Sequence, residues 1–600
     1  MTSHDPNATV VPSPASSLSD KEAKVATTPA GEVLDSNNSE LVRAIEGATL
    51  AGQSYEKSVE PAATNEFVDG EKISEKDALK DDDGAQYLEG RQLAFVVFAL
   101  CLVVFCVALD NTIIATAIPK ITDSFHALND VGWYSSAYLL CSCAFQLLFG
   151  KFYARFNKKY VFLTGLLLFE VGSVLCGAAP NSTCLIVGRA VAGLGAAGLF
   201  SGAMIIIAHS VPLAKRPYYS GLIGGMFGIA SVVGPLLGGA FTDAVHATWR
   251  WCFYINLPIG GMTAIILMIW LKMPTGIKSK EEGLWNTFMA FDPLGTITFV
   301  PGIICLLLAL QWGGTQYPWN DGRIIALFVM FVILIIAFIS IQIYWSARDD
   351  TRATVPIRIA SKRSIFGGAL FGLCLTAGFM SFVYFLPIWF QAVKGTSAVQ
   401  SGIDNLPLIL SQTIGSIVAG VLISQTGYYV PFMYAAPVFA AVGAGLISTF
   451  AVDTPTAKWI GYQILFGFGC GMGFQQPSLA AQAVLPLRDV SIGVSFVFFI
   501  QMLGGALFTS VSENIFTNNL VKNIISAGID INPELIVSTG ATELAKVLPA
   551  ADLPAVLVAY NDALTKAFQV SMIMACLSIV FVPFVEWKNV KGTQVELGGA

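Results

Sequence analysis

Apolar runs near or above the roughly 18 residues that cross a bilayer as a helix recur along most of the chain. Fourteen can be counted, at 94–117, 131–153, 160–178, 184–208, 218–240, 252–271, 291–311, 323–345, 366–391, 403–424, 431–451, 459–481, 491–511 and 567–585. The pattern predicts an all-α polytopic membrane protein. Polar residues between the runs set its orientation, because lysine and arginine collect in short cytosolic loops. The loops after spans 2, 4, 6 and 8 hold fourteen: Lys151, Arg155, Lys158, Lys159, Lys215, Arg216, Lys272, Lys278, Lys280, Arg348, Arg352, Arg358, Lys362 and Arg363. The opposite loops, up to span 12, hold five: Lys120, Arg250, Arg323, Lys394 and Lys458. The even-numbered loops and both termini are therefore expected in the cytosol. The 512–566 loop, with Glu513, Asp530, Glu534, Glu543, Asp552 and Asp562, is expected outside, over an entrance.

Span 5 departs from a plain anchor. Residues 221–243 are apolar yet carry seven glycines and Pro235. Lipid tolerates such a segment when neighbouring helices re-satisfy its backbone and pack into the grooves the glycines leave. It reads as a moving seam in a bundle, and so as a first sign of transport.

Composition adds a class and a division. A soluble chain is roughly 25% charged; this 600-residue chain is 12% charged and 54% hydrophobic, with mean hydropathy +0.66. Its net charge of −6 conceals a tail in which residues 1–91 hold 18 acidic and 8 basic residues. That segment has too few large apolar residues to offset chain entropy, and a disordered cytosolic tail is expected. No basic n-region and apolar h-region opens the chain, so no cleaved signal peptide is expected. Nearly all of the 11 cysteines lie in apolar runs and read as small core residues. A Cys176–Cys184 bridge across a short outer loop is the alternative for that pair. Asn181-Ser-Thr is an outer-side glycosylation sequon lying close to the membrane.

The chain also echoes itself, as transporter folds built from duplicated halves do. At an offset of 270, Gly150-x4-Arg155-x-Asn157 meets Gly420-x4-Gln425-x-Gly427; at 274, Arg189-x3-Gly193-x-Gly195 meets Gln463-x3-Gly467-x-Gly469. Pro212 meets Pro486. The implied layout is a tail (1–91), a six-helix half (92–272), a linker with two extra helices (273–348), a second half with its outer loop (349–590) and a short cytosolic tail (591–600). Arg155, Lys158, Lys159 and Arg189 face Gln425, Tyr428, Tyr429 and Gln463 in this alignment. Ion coupling and gate charges are thus expected in the first half, substrate shaping in the second.

Ionisable groups at membrane depth are costly and usually functional. Arg189, toward the outer end of span 4, reads as a cation tuning a nearby carboxylate, or as a snorkelling interfacial arginine. Asp110, in the outer part of span 1, can load a proton outside and release it inside if burial and a cation oppose each other there. Its alternative is a local structural partner for Asn111 and Thr112. Glu170, mid-span 3, is either a second proton site or a hydrogen-bonded structural carboxyl; a Glu170–Arg189 pair is geometrically open. Gln475 and Gln476, beside Pro477, suit hydrogen bonding to an uncharged ligand in a cavity, or clamp loosened backbone. Gln412 and Gln501 pose the same choice. Phe496, Phe498 and Phe499 either stack on aromatic substrates or face core and lipid. No GxxxxGK[ST] loop, HExxH or G-x-S-x-G occurs, and the four histidines lack metal-ligand spacing. No enzyme, cofactor or metal is expected.

Five motifs fall in order on matching spans. They are Leu109-Asp110-Asn111-Thr112 through Ile118-Pro119, Gly150 to Lys159, Gly188-Arg189-x3-Gly193-x-Gly195, Gly228 through Gly234-Pro235-x2-Gly238-Gly239, and Trp249 to Pro258. Over residues ~92–590 the chain resembles the fourteen-span drug:proton antiporters of the major facilitator superfamily, in the fungal multidrug and toxin-efflux branch. The resemblance implies a major facilitator fold, with two six-helix halves and two extra linking helices. Its motifs hold Asp110 and Arg189, expected with Glu170, read from its own place in span 3, to carry proton coupling, and it puts an inner gate at Gly150, Arg155, Lys158 and Lys159. It makes Gly228, Gly234, Pro235, Gly238 and Gly239 the antiporter motif. Ala154 stands where the family has Asp and Asn157 where it has Gly, a departure at the very residue that helps latch the family's inner gate by charge pairing. The remaining cations either meet helix C-termini or anchor the cytosolic face. The function implied by the resemblance is proton-coupled export of amphipathic small organic molecules across the plasma membrane. The expected partners are the substrate, protons and lipid, with no nucleic acid, and the expected state is a monomer. The rivals are proton-coupled uptake of siderophore chelates, vacuolar transport of basic amino acids, and a non-transporting receptor.

Overall fold

The computed structural model describes residues 87–127, 130–243, 248–273, 289–314, 316–526 and 553–591. Apolar runs become long helices because, in lipid, backbone groups must be satisfied inside their own segment. The first half holds α1 Gly90–Phe125, α2 Val131–Arg155, α3 Lys158–Gly177, α4 Ser182–Ser210, α5 Arg216–Asp243, α6 Trp251–Tyr254 and α7 Asn256–Trp270. Two linking helices come next, α8 Pro293–Trp312 and α9 Gly322–Arg348, then the short α10 Ile357–Ala360. The second half holds α11 Arg363–Ala392, α12 Ala398–Asp404, α13 Leu406–Thr426, α14 Val430–Ile447, α15 Thr456–Phe474, α16 Gln476–Val484, α17 Leu487–Ser526 and α18 Leu553–Phe581. Among the described residues the remaining pairing is two isolated bridges, and no sheet forms.

Among the described residues, thirteen helical segments are long and apolar enough to span a membrane. The twelfth predicted span, 459–481, differs: it breaks at Gln475 into α15 and α16. Its glycines seat it in the bundle as a fourteenth element, Gly467 against the Leu408 carbonyl and Gly469 against Ala440. α9 is a lipid-facing helix, with Ile325, Val329, Ile333, Ile336, Ile339 and Ile343 exposed. α17 continues to Ser526 rather than ending at 511; its 40 residues extend about 60 Å, twice the hydrocarbon thickness. The predicted outer loop is therefore helical at both ends. Its centre, with Asp530, Glu534, Glu543 and Asp552, lies outside the described residues, as do residues 1–86, Lys278, Lys280 and 592–600. The Cys176–Cys184 bridge does not form; all eleven cysteines are free thiols. Asn181 instead caps α4, its side chain accepting from the Cys184 N–H at 2.8 Å.

The internal repeat is visible as repeated packing. A Cβ on Gly193 would strike the Tyr138 carbonyl, and one on Gly467 would strike that of Leu408, 270 residues on. Gly195 packs on Phe169 and the Gly165 carbonyl, Gly469 on Ala440 and the Ala436 carbonyl, each partner displaced by 271. Gly172 approaches Ala192, and Gly443 approaches Phe466. Hydrogen bonds obey the same rule. Arg189 Nε donates to the Tyr134 carbonyl at 2.8 Å, and Gln463 Nε2 donates to the Asp404 carbonyl at 3.0 Å. Two halves of one design bury different chemistry at equivalent places.

The halves meet at the lysine- and arginine-rich end. Gly150 of α2 lies against Ser495 of α17. Its repeat partner Gly420, on α13, lies against the Pro217 carbonyl and Gly221 of α5. One core cluster spans both halves here, joining Phe149, Tyr153 and Ile207 to Ile365, Val484 and Val494. Toward the other end the described core residues separate by half, around Ile113, Leu185 and Phe253 in one and Trp389, Phe450 and Phe568 in the other.

Candidate functional site

Asp110 and Arg189 form an ion pair inside the first half, each side chain 1% exposed. α1 carries the carboxylate and α4 the guanidinium. Gly193, one turn beyond Arg189, lets α4 approach α2 closely enough for Arg189 Nε to reach the Tyr134 carbonyl. The Arg189 guanidinium lies over the Tyr138 ring at 4.4 Å, a contact that favours a desolvated cation. The second carboxylate oxygen of Asp110 accepts from Asn256 Nδ2 at 3.2 Å, and that amide also reaches Ser173 Oγ at 3.2 Å. Arg189 Nη2 and Asn256 Oδ1 have no hydrogen-bond partner among the described residues. A buried pair is held by such extra hydrogen bonds, and loss of one partner strands the other.

Glu170 sits on α3 beside this cluster but does not pair with Arg189, which Asp110 has taken. Both Glu170 carboxylate oxygens are buried without a hydrogen-bond partner among the described residues. They fit because Gly260 of α7 has no side chain; a Cβ there would collide with Oε1.

The residues expected at the inner gate separate into different environments. Gly150 makes the close contact with Ser495. Lys159 donates to the Met268 carbonyl in the last turn of α7 at 2.6 Å, a cation on a helix C-terminus. Asn157, the departure from the family pattern, caps α3 by accepting from the Lys159 N–H at 3.0 Å. Ala154 is exposed, and Arg155 and Lys158 are half-buried at the same end. Other residues bind across the same end. Lys151 is buried and donates to the carbonyls of Arg352 and Ala353, the latter at 2.6 Å. Arg358 on α10 makes two bonds to Asp489 in the first turn of α17, at 2.5 and 2.9 Å, and also pairs with Asp350. Its hydrogen bond to Asp489, ahead of that to Asp350, raises the Arg358 pKa above its ordinary value, so this cation stays charged.

α5 lies between the two halves. Gly221, Gly224 and Gly228 face the second half, at Ser416, Gln475 and Thr413. Gly234 and Gly238 face α1, at Thr112 and Thr116, and Gly239 is open. Pro235 lies within the helix and offers no N–H to the turn before it. There Thr112 Oγ1 crosses from α1 to the Ala230 carbonyl at 3.2 Å.

The four glutamines are buried, with different uses. Gln476 Nε2 clamps the Met472 carbonyl at 2.8 Å, and Gln501 Nε2 reaches the Phe474 carbonyl at 3.3 Å across the α15–α16 break. Gln475 borders a void of about 10 Å³ with Ser220, Gly221 and Ser416, room for about one water. The amide oxygens of Gln412, Gln475 and Gln476 have no partner among the described residues. Phe498 stacks edge-on against Phe200, and Phe499 against Phe299, so both pack in the core. Sequence reasoning missed Asn256, Tyr138, Asp489 and Arg358 as site residues. The signal for Asn256 was its place inside the Trp249–Pro258 motif.

The Major Facilitator Superfamily profile matches residues 100–509. The "MFS-type efflux pump MFS1" of Trichophyton rubrum is 54% identical over 533 residues, covering 89% of this chain and 98% of the relative. "Efflux pump aflT" of Aspergillus parasiticus is 52% identical, covering 85% and 98%. "MFS-type transporter phomT" of Diaporthe leptostromiformis is 50% identical, covering 99% and 98%. Among solved structures, the proton:xylose symporter XylE shares the fold at TM-score 0.53 and 11% identity, covering 83% of this chain and 98% of its own. The human organic anion transporter MFSD10 does so at 0.52 and 13%, covering 81% and 100%. With the helical architecture, these matches establish that the chain is a multi-pass membrane transporter belonging to the Major Facilitator Superfamily, in the branch of the fungal MFS-type efflux pumps.

Proposed function

We propose that the chain exports amphipathic small organic molecules, such as a fungal secondary metabolite, toxin or drug, from the cytosol in exchange for protons. It works as a monomer in the plasma membrane, with its basic end in the cytosol. The observation that carries the coupling is the buried Asp110–Arg189 pair. A proton on Asp110 removes the charge that holds Arg189, and the cation must then move or find another partner. That exchange links proton uptake to helix movement around α4. Glu170, a short way along on α3, is a second carboxyl able to take up a proton. The halves pack together at the basic end, the arrangement of an outward-facing state, and α5 supplies the glycine-lined seam on which they rock. Gln412 and Gln475, whose amide oxygens have no partner among the described residues, offer hydrogen bonds to substrate. Relatives named as efflux pumps support export over uptake.

The test uses inside-out membrane vesicles from expressing yeast, acidified inside, and a panel of amphipathic dyes and antifungals. Addition of a transported compound should release protons in wild type and not in Asp110→Asn. Proton release that is identical in both rules out Asp110 as the coupling site.

A further inference from the structure

The two linking helices connect to the gate. Asp292 begins α8 in a left-handed conformation, φ +49°, and is 1% exposed. Its carboxylate accepts three hydrogen bonds: from the Gly295 N–H at 2.8 Å, from Gln342 Nε2 of α9 at 2.5 Å, and from Thr354 Oγ1 at 3.0 Å. Gln342 in turn accepts from the Val355 N–H at 3.1 Å. Four consecutive residues thus hold two assemblies. Arg352 and Ala353 receive Lys151 from the first half, while Thr354 and Val355 are bound to α8 and α9. A few residues on, Arg358 ties the same strap to α17 through Asp489.

We propose that α8 and α9 are part of the transport machinery, and that Asp292 and Gln342 are positioning residues presenting the 352–355 strap to Lys151 as the cytosolic latch. This inference rests on the alternating-access reading above. The chemistry says where the latch parts. Pulling Thr354 and Gln342 from Asp292 would strand a buried carboxylate, whereas Lys151 leaves neutral carbonyls and regains water at the membrane edge. The strap therefore travels with α8, α9 and the second half, and Lys151 lets go.

The experiment measures labelling of Ser495→Cys, which faces Gly150 across the closed gate, by a membrane-impermeant maleimide. The reagent is applied from the cytosolic or the outer face, and modification at position 495 is read by mass spectrometry. Lys151→Met, Asp292→Asn and Gln342→Leu should each raise labelling from the cytosolic face roughly fivefold or more, with no rise from the outer face. Arg363→Ala, at an exposed residue beyond the strap, should leave it unchanged. Melting temperature is recorded for each variant, since general loosening would raise labelling from both faces. Unchanged cytosolic labelling in Lys151→Met and Asp292→Asn, with wild-type melting, overturns the proposal. If wild-type Ser495→Cys never becomes more reactive when substrate or pH gradient is varied, it is the alternating-access reading that fails.

Discussion

The central residue-scale event is a buried cation finding its anion. Removing either member leaves an uncompensated charge, and the cost of that is about 3–5 kcal/mol. Arg189→Met and Asp110→Asn should therefore each melt well below wild type and lose gradient-driven transport, whereas the neutral double variant Arg189→Met/Asp110→Asn, which strands no charge, should melt closer to wild type while still losing its response to a pH gradient. Thermal melting in detergent and gradient-driven transport separate the two effects. Asn256 donates to the same carboxylate, and a hydrogen bond to a charged group contributes about 1.5–3 kcal/mol. Asn256→Ala should accordingly lower gradient-driven transport at least tenfold with surface expression retained. Asp110 and Arg189 stood out in the sequence because charge is rare in apolar runs. Asn256 did not, because an amide just inside a span carries no such contrast, and its partner lies 146 positions away. The proposed latch was hidden for the same reason: Lys151 and Arg358 read as ordinary cytosolic loop charges, and Asp489 drew no notice, until the fold brought them to their partners.

At the scale of elements, glycines decide where helices can cross. Gly228 leaves room for Thr413 of α13, whose hydroxyl would meet any added Cβ. Gly228→Ala should impair transport, and adding Thr413→Ala should restore much of it, as a dye-export assay on the single and double variants would show. The repeat offers a paired case. Gly193→Val and Gly467→Val place bulk against equivalent carbonyls in the two halves, and overpacking of this kind costs about 1–3 kcal/mol or more. Both should lower melting temperature, but only the first sits beside the charge pair and should also disturb pH dependence. The spans, their order and the repeat were legible from hydropathy and glycine spacing. The break at Gln475 and the extension of α17 to Ser526 were not, since both depend on packing against neighbours rather than on apolar content.

Across the whole molecule, two halves of one pattern enclose unlike interiors. Arg189 pairs with an acid, while its counterpart Gln463 has only a backbone carbonyl, the contrast on which the proposed division between proton coupling and substrate binding rests. In the proposed cycle the charge latch and the shared core at the basic end keep the closed face sealed, with the linking helices hydrogen-bonded into that latch. The central claim is proton-driven export through the Asp110–Arg189 pair. Its most direct measurement is accumulation of a fluorescent amphipathic dye panel in yeast lacking its own pumps. Cells carry this chain, the Arg189→Ala variant or an empty vector, with and without a protonophore. The account predicts lower dye in wild-type cells than with empty vector, restored by the protonophore and by Arg189→Ala. Wild-type export that survives both treatments, or dye that accumulates above the empty-vector level, would contradict it.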